Sequence, residues 1–198
     1  MNELEGKSYK QDCLLGAFGA LLMLVGDLCL SVVPASPGDN GLFTREAYLS
    51  GSFAAWRLPL LLATGLAGMS LGFFTVRAFY TQIRPQFSKT RRAILAGGTV
   101  YIASAGVVHF FIGSLADWTN RLAPLLGRNE TAALIQAQYS RLMPVMLIAY
   151  AGMLLLMLVS AFAVLTKKTL LPRWMAAFHL LVLQLPLVLI PDIRQSAG

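Results

Sequence analysis

Two residues whose side chains can exchange protons lie inside long apolar stretches of the sequence. Asp27 lies in the run LLMLVGDLCLSVVP and His109 in the run AGVVHFFIG. A carboxyl and an imidazole that meet in a partly dry setting can act as an acid–base pair near neutral pH. Such a pair would suit proton shuttling on a lipid-like substrate, for example double-bond isomerisation in a steroid or isoprenoid. Asp27 and His109 are therefore the candidate catalytic residues.

A second set of residues, at the ends of the apolar runs, has side chains that suit an amphipathic ligand. Arginine can take an anionic head group, and aromatic rings can pack beside it. The candidate ligand-binding residues are Arg57, Asp117, Trp118, Tyr139, Arg141 and Asp192. Arginines and aromatic residues at helix ends are also typical of anchors at the membrane interface, so anchoring is an alternative interpretation.

The composition identifies the setting in which these residues must act. The chain has 57% hydrophobic and 13% charged residues and a mean hydropathy of +0.65, whereas soluble domains carry about 25% charged residues. It is therefore an integral membrane protein, and its 198 residues predict a single transmembrane domain. The net charge of +7 comes from basic residues in short loops beside apolar runs. This placement indicates membrane orientation rather than nucleic-acid binding.

The apolar runs predict the fold class, an all-α bundle of five transmembrane helices. The predicted helices are at about 13–34, 57–79, 93–115, 142–165 and 171–191. Basic residues without acidic neighbours lie between the second and third runs and between the fourth and fifth. The positive-inside rule then places the N-terminus in the cytoplasm and the C-terminus outside. The segments 35–56 and 116–141 are predicted to be exterior loops.

This topology predicts that the candidate residues converge. It places Asp27 and His109 at similar depths in the outer half of the bundle, since depth follows from the rise of about 1.5 Å per residue. Each lies on a stripe of small or polar residues, and such stripes favour contact with protein rather than lipid. We therefore expect a polar pocket in the outer half of the bundle. The alternative is a structural ion pair of Asp27 with Arg57 or Arg141.

Several other chemistries find no support in the sequence. The lysines lie outside the apolar runs, which excludes a retinal Schiff base, and His109 and His179 differ in predicted depth by about 12 Å. No zinc-protease, nucleotide-binding or serine-hydrolase motif occurs. Cys13 and Cys29 lie about 24 Å apart on one predicted helix, too far for a disulfide. We therefore expect neither a metal nor a cofactor.

Short motifs carry a resemblance to small bacterial polytopic membrane proteins of unknown function. The motifs are Gly26-Asp27, Trp56-Arg57 and LVLIPDIR at 187–194. Relatives of this kind tend to have a sixth span, and the resemblance implies no activity. In size and polar pocket, the predicted bundle is also similar in architecture to five-helix sterol isomerases.

The expected function is the binding of a lipid or small amphipathic molecule by a multi-pass protein of a cell membrane, such as a bacterial inner membrane. An intramembrane acid–base enzyme of isomerase type is the first alternative. A non-catalytic subunit or scaffold is the second. The expected partners are membrane lipids and this ligand, with no nucleic acid. The pair Gly68 and Gly72 has the G-x-x-x-G spacing of a homodimer contact, although it equally fits packing within one chain.

Overall fold

The computed structural model describes residues 3–33, 36, 45–51 and 53–178. Within these residues the protein is helical. The α-helices are α1 (Glu3–Ser31), α2 (Glu46–Leu49), α3 (Arg57–Gln82), α4 (Ser88–Leu126) and α5 (Arg128–Leu165), followed by a 3₁₀ helix at Arg173–Phe178. Among them α1, α3, α4 and α5 are long and apolar enough to cross a membrane. Between 22% and 33% of their most apolar stretches is buried, so most of this apolar surface is available to lipid.

Glycines bring α1 and α3 into close antiparallel contact. A Cβ added to Gly19 would lie 2.9 Å from the carbonyl oxygen of Gly68, and one added to Gly16 would lie 2.2 Å from the hydroxyl of Thr75. Nearer the end of α1, Gly26 faces Thr64. Residue numbers therefore rise along α1 as they fall along α3. Small residues let helix backbones approach closely in a membrane, where burial of apolar surface does not drive helices together.

The helices α4 and α5 form a long antiparallel hairpin, and α4 also packs on α3. A Cβ added to Gly152 of α5 would lie 2.8 Å from the backbone nitrogen of Tyr101 in α4. The two helices have 39 and 38 residues and are each about 57 Å long at 1.5 Å per residue. Since a hydrocarbon core is about 30 Å thick, the hairpin extends well beyond it.

The prediction of an exterior loop at 116–141 is therefore wrong. These residues are helical except for Gly127, which separates α4 from α5. The backbone of Gly127 has φ 86° and ψ 161°, so the chain reverses direction around a single residue. The predicted span at 13–34 likewise differs from α1, which begins at Glu3 and ends at Ser31. Hydropathy marks the part of a helix that prefers lipid, and a helix can continue beyond that part.

We call the end of the bundle where α1 ends and α3 begins the α2 end, because α2 packs there on α4, and the other end the opposite end. At the α2 end, side chains bind the last carbonyl groups of α1, which lack partners within the helix. Arg57 donates to the carbonyls of Cys29 at 3.3 Å and Val32 at 2.5 Å. The hydroxyl of Tyr48 donates to Leu30 at 2.5 Å. Burial raises the pKa of Tyr48 to about 12, so this donor stays protonated.

The fifth predicted span lies largely outside the described residues. Its first part contains the 3₁₀ helix Arg173–Phe178, and residues 179–191 are not described. A short antiparallel bridge between Ile83 and Thr169 holds the start of this part of the chain beside the end of α3.

We expect the substitution Gly127→Ala to destabilise the hairpin. A side chain is strained at the positive φ of this residue, at a cost of about 2 kcal/mol. The matched control is Gly106→Ala, because Gly106 is helical and an added Cβ would meet no atom within 4 Å. Thermal unfolding of the detergent-solubilised protein should show a lower melting temperature for Gly127→Ala and little change for Gly106→Ala. Equal melting temperatures for the two variants would contradict the assignment of Gly127 as a strained turn.

Candidate functional site

Asp27 and His109 meet where α1, α3 and α4 come together. Oδ1 of Asp27 lies 3.8 Å from Nδ1 of His109, which is within ion-pair range but longer than a hydrogen bond. Nε2 of His109 lies 3.3 Å from the carbonyl oxygen of Leu61 in α3. A proton on Nε2 would be donated to that carbonyl, leaving Nδ1 directed at the carboxyl group. The arrangement places the two groups close enough to interact electrostatically, and a movement of less than about 1 Å would bring them into hydrogen-bond distance.

The imidazole occupies a space that two glycines leave open. A Cβ added to Gly65 would lie 2.0 Å from both Nε2 and Cδ2 of His109, and a Cβ added to Gly26 would lie 3.3 Å from Nε2. The side chain of His109 is 11% exposed. Gly26 leaves space for the imidazole of His109 and directly precedes Asp27 in α1. The carboxyl group of Asp27 is therefore placed beside the imidazole. Sequence reasoning missed Gly65, although its place one turn before Gly68 on the buried face of α3 was a usable signal.

Asp27 faces an open groove rather than packed protein. Its side chain is 60% exposed and lines a groove of about 470 Å³. Residues of α1, α3 and α4 form its walls, among them Ala20, Met69, Gly72, Thr75 and Tyr101. The expectation that the stripe of Asp27 contacts protein holds at Gly16, which packs on Thr75, whereas Ala20 and Asp27 are exposed. The stripe of His109 does contact protein, since Gly113 packs on Leu61.

His109 also lines a smaller cavity between α3 and α4. This cavity has a volume of about 200 Å³, and its other lining residues, including Leu62, Leu66 and Phe110, are apolar. The imidazole thus has the carboxyl of Asp27 on one side and apolar space on another. Among the described residues, no three His, Cys, Asp or Glu side chains come close enough together to hold a metal ion.

The other predicted site residues have different surroundings. Arg57 binds the end of α1, and Asp117 accepts a hydrogen bond of 2.7 Å from Arg121 one turn along α4. Trp118 is exposed, and Tyr139 packs against the buried cluster that contains Tyr48. Arg141 lies 3.5 Å from the side chain of Gln138, and Asp192 lies outside the described residues. In the described part of the chain, the ion-pair partner of Asp27 is His109.

Sequence reasoning also missed an ion pair at the opposite end of α1 and α3. Nε and Nη2 of Arg77 donate to the two carboxylate oxygens of Asp12 at 2.7 Å and 2.6 Å. The Asp12 side chain is 1% exposed. The usable signal was spacing, since Asp12 lies one turn before Gly16 on the buried face of α1. Charged groups within the bundle are therefore not confined to the half that contains Asp27.

We expect Gly65→Ala to destabilise the protein by displacing His109. An added methyl group in such a packed position costs about 1–3 kcal/mol. The matched control is Gly72→Ala on the same helix, where an added Cβ would meet no atom within 4 Å. Melting temperatures in detergent should fall for Gly65→Ala alone. Adding His109→Ala to Gly65→Ala should recover part of the loss, and a purely additive double variant would contradict this interpretation of the contact.

Comparison with known proteins identifies a family and no characterised relative. No curated protein and no solved structure matches the chain. Residues 1–196 match DUF6796, a family of unknown function. Because the match covers nearly the whole sequence, the chain belongs to this family of unknown function.

Proposed function

We propose that the protein binds a lipid or small amphipathic molecule in the groove beside Asp27. The observation that carries this proposal is the exposure of Asp27, whose side chain is 60% accessible in a groove formed by membrane-spanning helices. A carboxyl group facing hydrocarbon is costly unless a polar partner meets it. His109 lies beside one oxygen of the carboxyl group. A ligand that carries a hydroxyl or amine could donate a hydrogen bond to the exposed side of the same carboxyl group.

The groove favours a ligand with a long apolar body and a small polar group. Most of its lining side chains are apolar, and Thr75 and Tyr101 provide hydroxyl groups besides the carboxyl of Asp27. In this proposal the ligand's head group reaches toward the α2 end. Since the described lining of the groove includes none of the predicted set Arg57, Asp117, Trp118, Tyr139 and Arg141, the head-group contacts in this proposal come from Asp27, Thr75 and Tyr101.

We place the α2 end on the outside of a cell membrane, such as a bacterial inner membrane. The opposite end carries a basic cluster that includes Arg84, Lys167 and Lys168, and the positive-inside rule assigns such clusters to the cytoplasm. The N-terminus is then cytoplasmic. A fifth span at 171–191 would bring the C-terminus outside, which completes the proposed five-helix bundle.

Acid–base catalysis on such a ligand is the second candidate function. It is favoured by the 3.8 Å separation of Asp27 and His109 and by the contact of Nε2 with the Leu61 carbonyl, which orients Nδ1 toward the carboxyl. Moving one proton between the two groups would let them protonate one carbon of a substrate and deprotonate another, as double-bond isomerisation requires.

A scaffold role is the third candidate, in which the groove is covered by protein. The covering element would be the apolar segment 171–191 or a second copy of the chain. Gly68 already contacts Gly19 and Met23 of α1, whereas an added Cβ at Gly72 would meet no atom within 4 Å. A homodimer formed through this pair would therefore rely on Gly72 and its neighbours.

We expect Asp27→Asn to lose most of the ligand that the wild-type protein retains on purification. The variant keeps the shape of the side chain and removes its charge, which we expect to weaken a charge-assisted contact about tenfold. Ala20→Leu, which narrows the groove without touching Asp27, should have a similar effect. The matched control is Glu130→Gln on the exposed first turn of α5. Retained molecules would be measured by lipid mass spectrometry of the purified proteins.

Measurements on the same purified wild-type and variant proteins distinguish the three candidate functions. Full retention by both groove variants would exclude binding in the groove, and a lower melting temperature without any change in retained lipid would favour the scaffold. For catalysis, the retained molecule would be incubated with the protein in deuterated buffer. An isomerase incorporates deuterium into a C–H position and His109→Asn abolishes the incorporation, whereas a binding protein incorporates none.

A further inference from the structure

A second cavity lies at the opposite end of the bundle, away from Asp27. It has a volume of about 470 Å³ and is formed by the start of α1, the end of α3, the following loop and the first turn of α4. Its polar lining residues are Ser8, Tyr9, Thr81, Arg84 and Arg91. None of its described lining residues is acidic. Its described lining therefore combines two guanidinium groups with hydroxyl groups.

Arg91 has a buried donor without a partner in the described part of the chain. Its Nε is buried, and no hydrogen-bond acceptor among the described residues reaches it. The guanidinium lies 4.1 Å from the centre of the Tyr80 ring, so stacking fixes its plane. An unsatisfied buried donor costs more when it is charged. The position of this side chain indicates that an acceptor from outside the described residues binds there.

The wall that carries Arg84 is held in place by backbone hydrogen bonds. The backbone nitrogen of Arg84 donates to the carbonyl of Lys168 at 2.9 Å, and that of Leu170 donates to Gln82 at 2.8 Å. These bonds join the loop after α3 to the segment after α5. They also bring the positive charge of Lys168 to this end of the bundle, where its Nζ lies 4.3 Å from the centre of the Phe162 ring.

The buried carboxylate of Asp12 is used elsewhere in the bundle. Both oxygens of Asp12 accept hydrogen bonds from Arg77, which uses that negative charge within the α1–α3 contact. The first turn of α4 adds further positive character, because its N-cap residue, Phe87, has no side chain that could bind the free N–H groups. Among the described residues, the positive lining and the guanidinium stacked on Tyr80 together favour an anion.

We propose that this cavity binds a phosphate-bearing anion, with Arg91 and Arg84 donating hydrogen bonds to its oxygens. Guanidinium groups match phosphate geometry and can bind two of its oxygens at once. Ser8 and Tyr9 supply hydroxyl donors from α1. The cavity lies at the ends of membrane-spanning helices, so the phosphate can belong to a lipid head group or to a soluble phosphate.

The test measures binding of two probes by the full-length protein in detergent. Phosphatidic acid in mixed micelles represents the lipid source, inorganic phosphate represents the soluble source, and phosphatidylcholine micelles provide the background. We expect Arg91→Gln to weaken binding of the phosphate-bearing probe about tenfold. The matched control is Arg92→Gln, since Arg92 is the exposed neighbour and does not line the cavity. Its effect should be less than about twofold, as expected for an exposed charge.

The two sources give different results. Binding of phosphatidic acid that excess inorganic phosphate does not displace assigns the site to a lipid head group, and binding of inorganic phosphate assigns it to a soluble anion. If Arg91→Gln does not fold, Arg84→Gln in the loop replaces it, with the same expectation.

Either of two outcomes overturns the proposal. Equal weakening by Arg91→Gln and Arg92→Gln would show diffuse surface attraction instead of a site. Failure of the wild-type protein to bind either probe would show that the cavity is not a phosphate site.

Discussion

The close contact of α1 with α3 is the constraint on which the rest of the structure depends. A Cβ at Gly19 would meet the backbone of Gly68 at 2.9 Å, so the two backbones touch with no side chain between them. That distance allows one imidazole, from α4, to reach both helices at Gly26 and Gly65. A larger residue at Gly26 or Gly65 would separate α1 from α3 and move His109 away from Asp27. The proximity of Asp27 and His109 is therefore a consequence of backbone packing.

Both ends of the α1–α3 pair are fixed by arginine, and this explains the surroundings of Asp27. At the opposite end, Arg77 forms its two hydrogen bonds with the buried carboxylate of Asp12. At the α2 end, Arg57 binds backbone carbonyls of α1, which would otherwise face lipid without a partner. Because Arg57 binds the carbonyl groups at the end of α1, the charged partner of Asp27 among the described residues is the imidazole of His109. An imidazole carries a charge only when it is protonated. The carboxyl thus keeps capacity for an external donor.

Hydropathy and residue counting predicted the parts of the structure that depend on position along a helix. The predicted run 57–79 matches α3, at Arg57–Gln82, and the similar depth of Asp27 and His109 follows from the rise per residue. The prediction of a loop at 116–141 was wrong because hydropathy measures only the preference of a segment for lipid. A helix can continue outside lipid, since it satisfies its own backbone hydrogen bonds. The spacing of Gly65 and Gly68 was a usable signal for the close contact, but the seat of His109 on Gly65 and the Nε of Arg91 without a partner among the described residues depend on how one helix is rotated against another.

The two proposed sites select ligands of opposite chemistry. Asp27 offers an acceptor in an apolar groove, which favours a neutral or cationic donor, whereas Arg84 and Arg91 offer donors to an anion. Ser8, beside the arginines, and Asp27 are separated by 19 residues of one helix, which is about 28 Å. That distance is nearly the thickness of the hydrocarbon core, so no single small polar group can contact both sites. Ligands at the two proposed sites would therefore contact different residues.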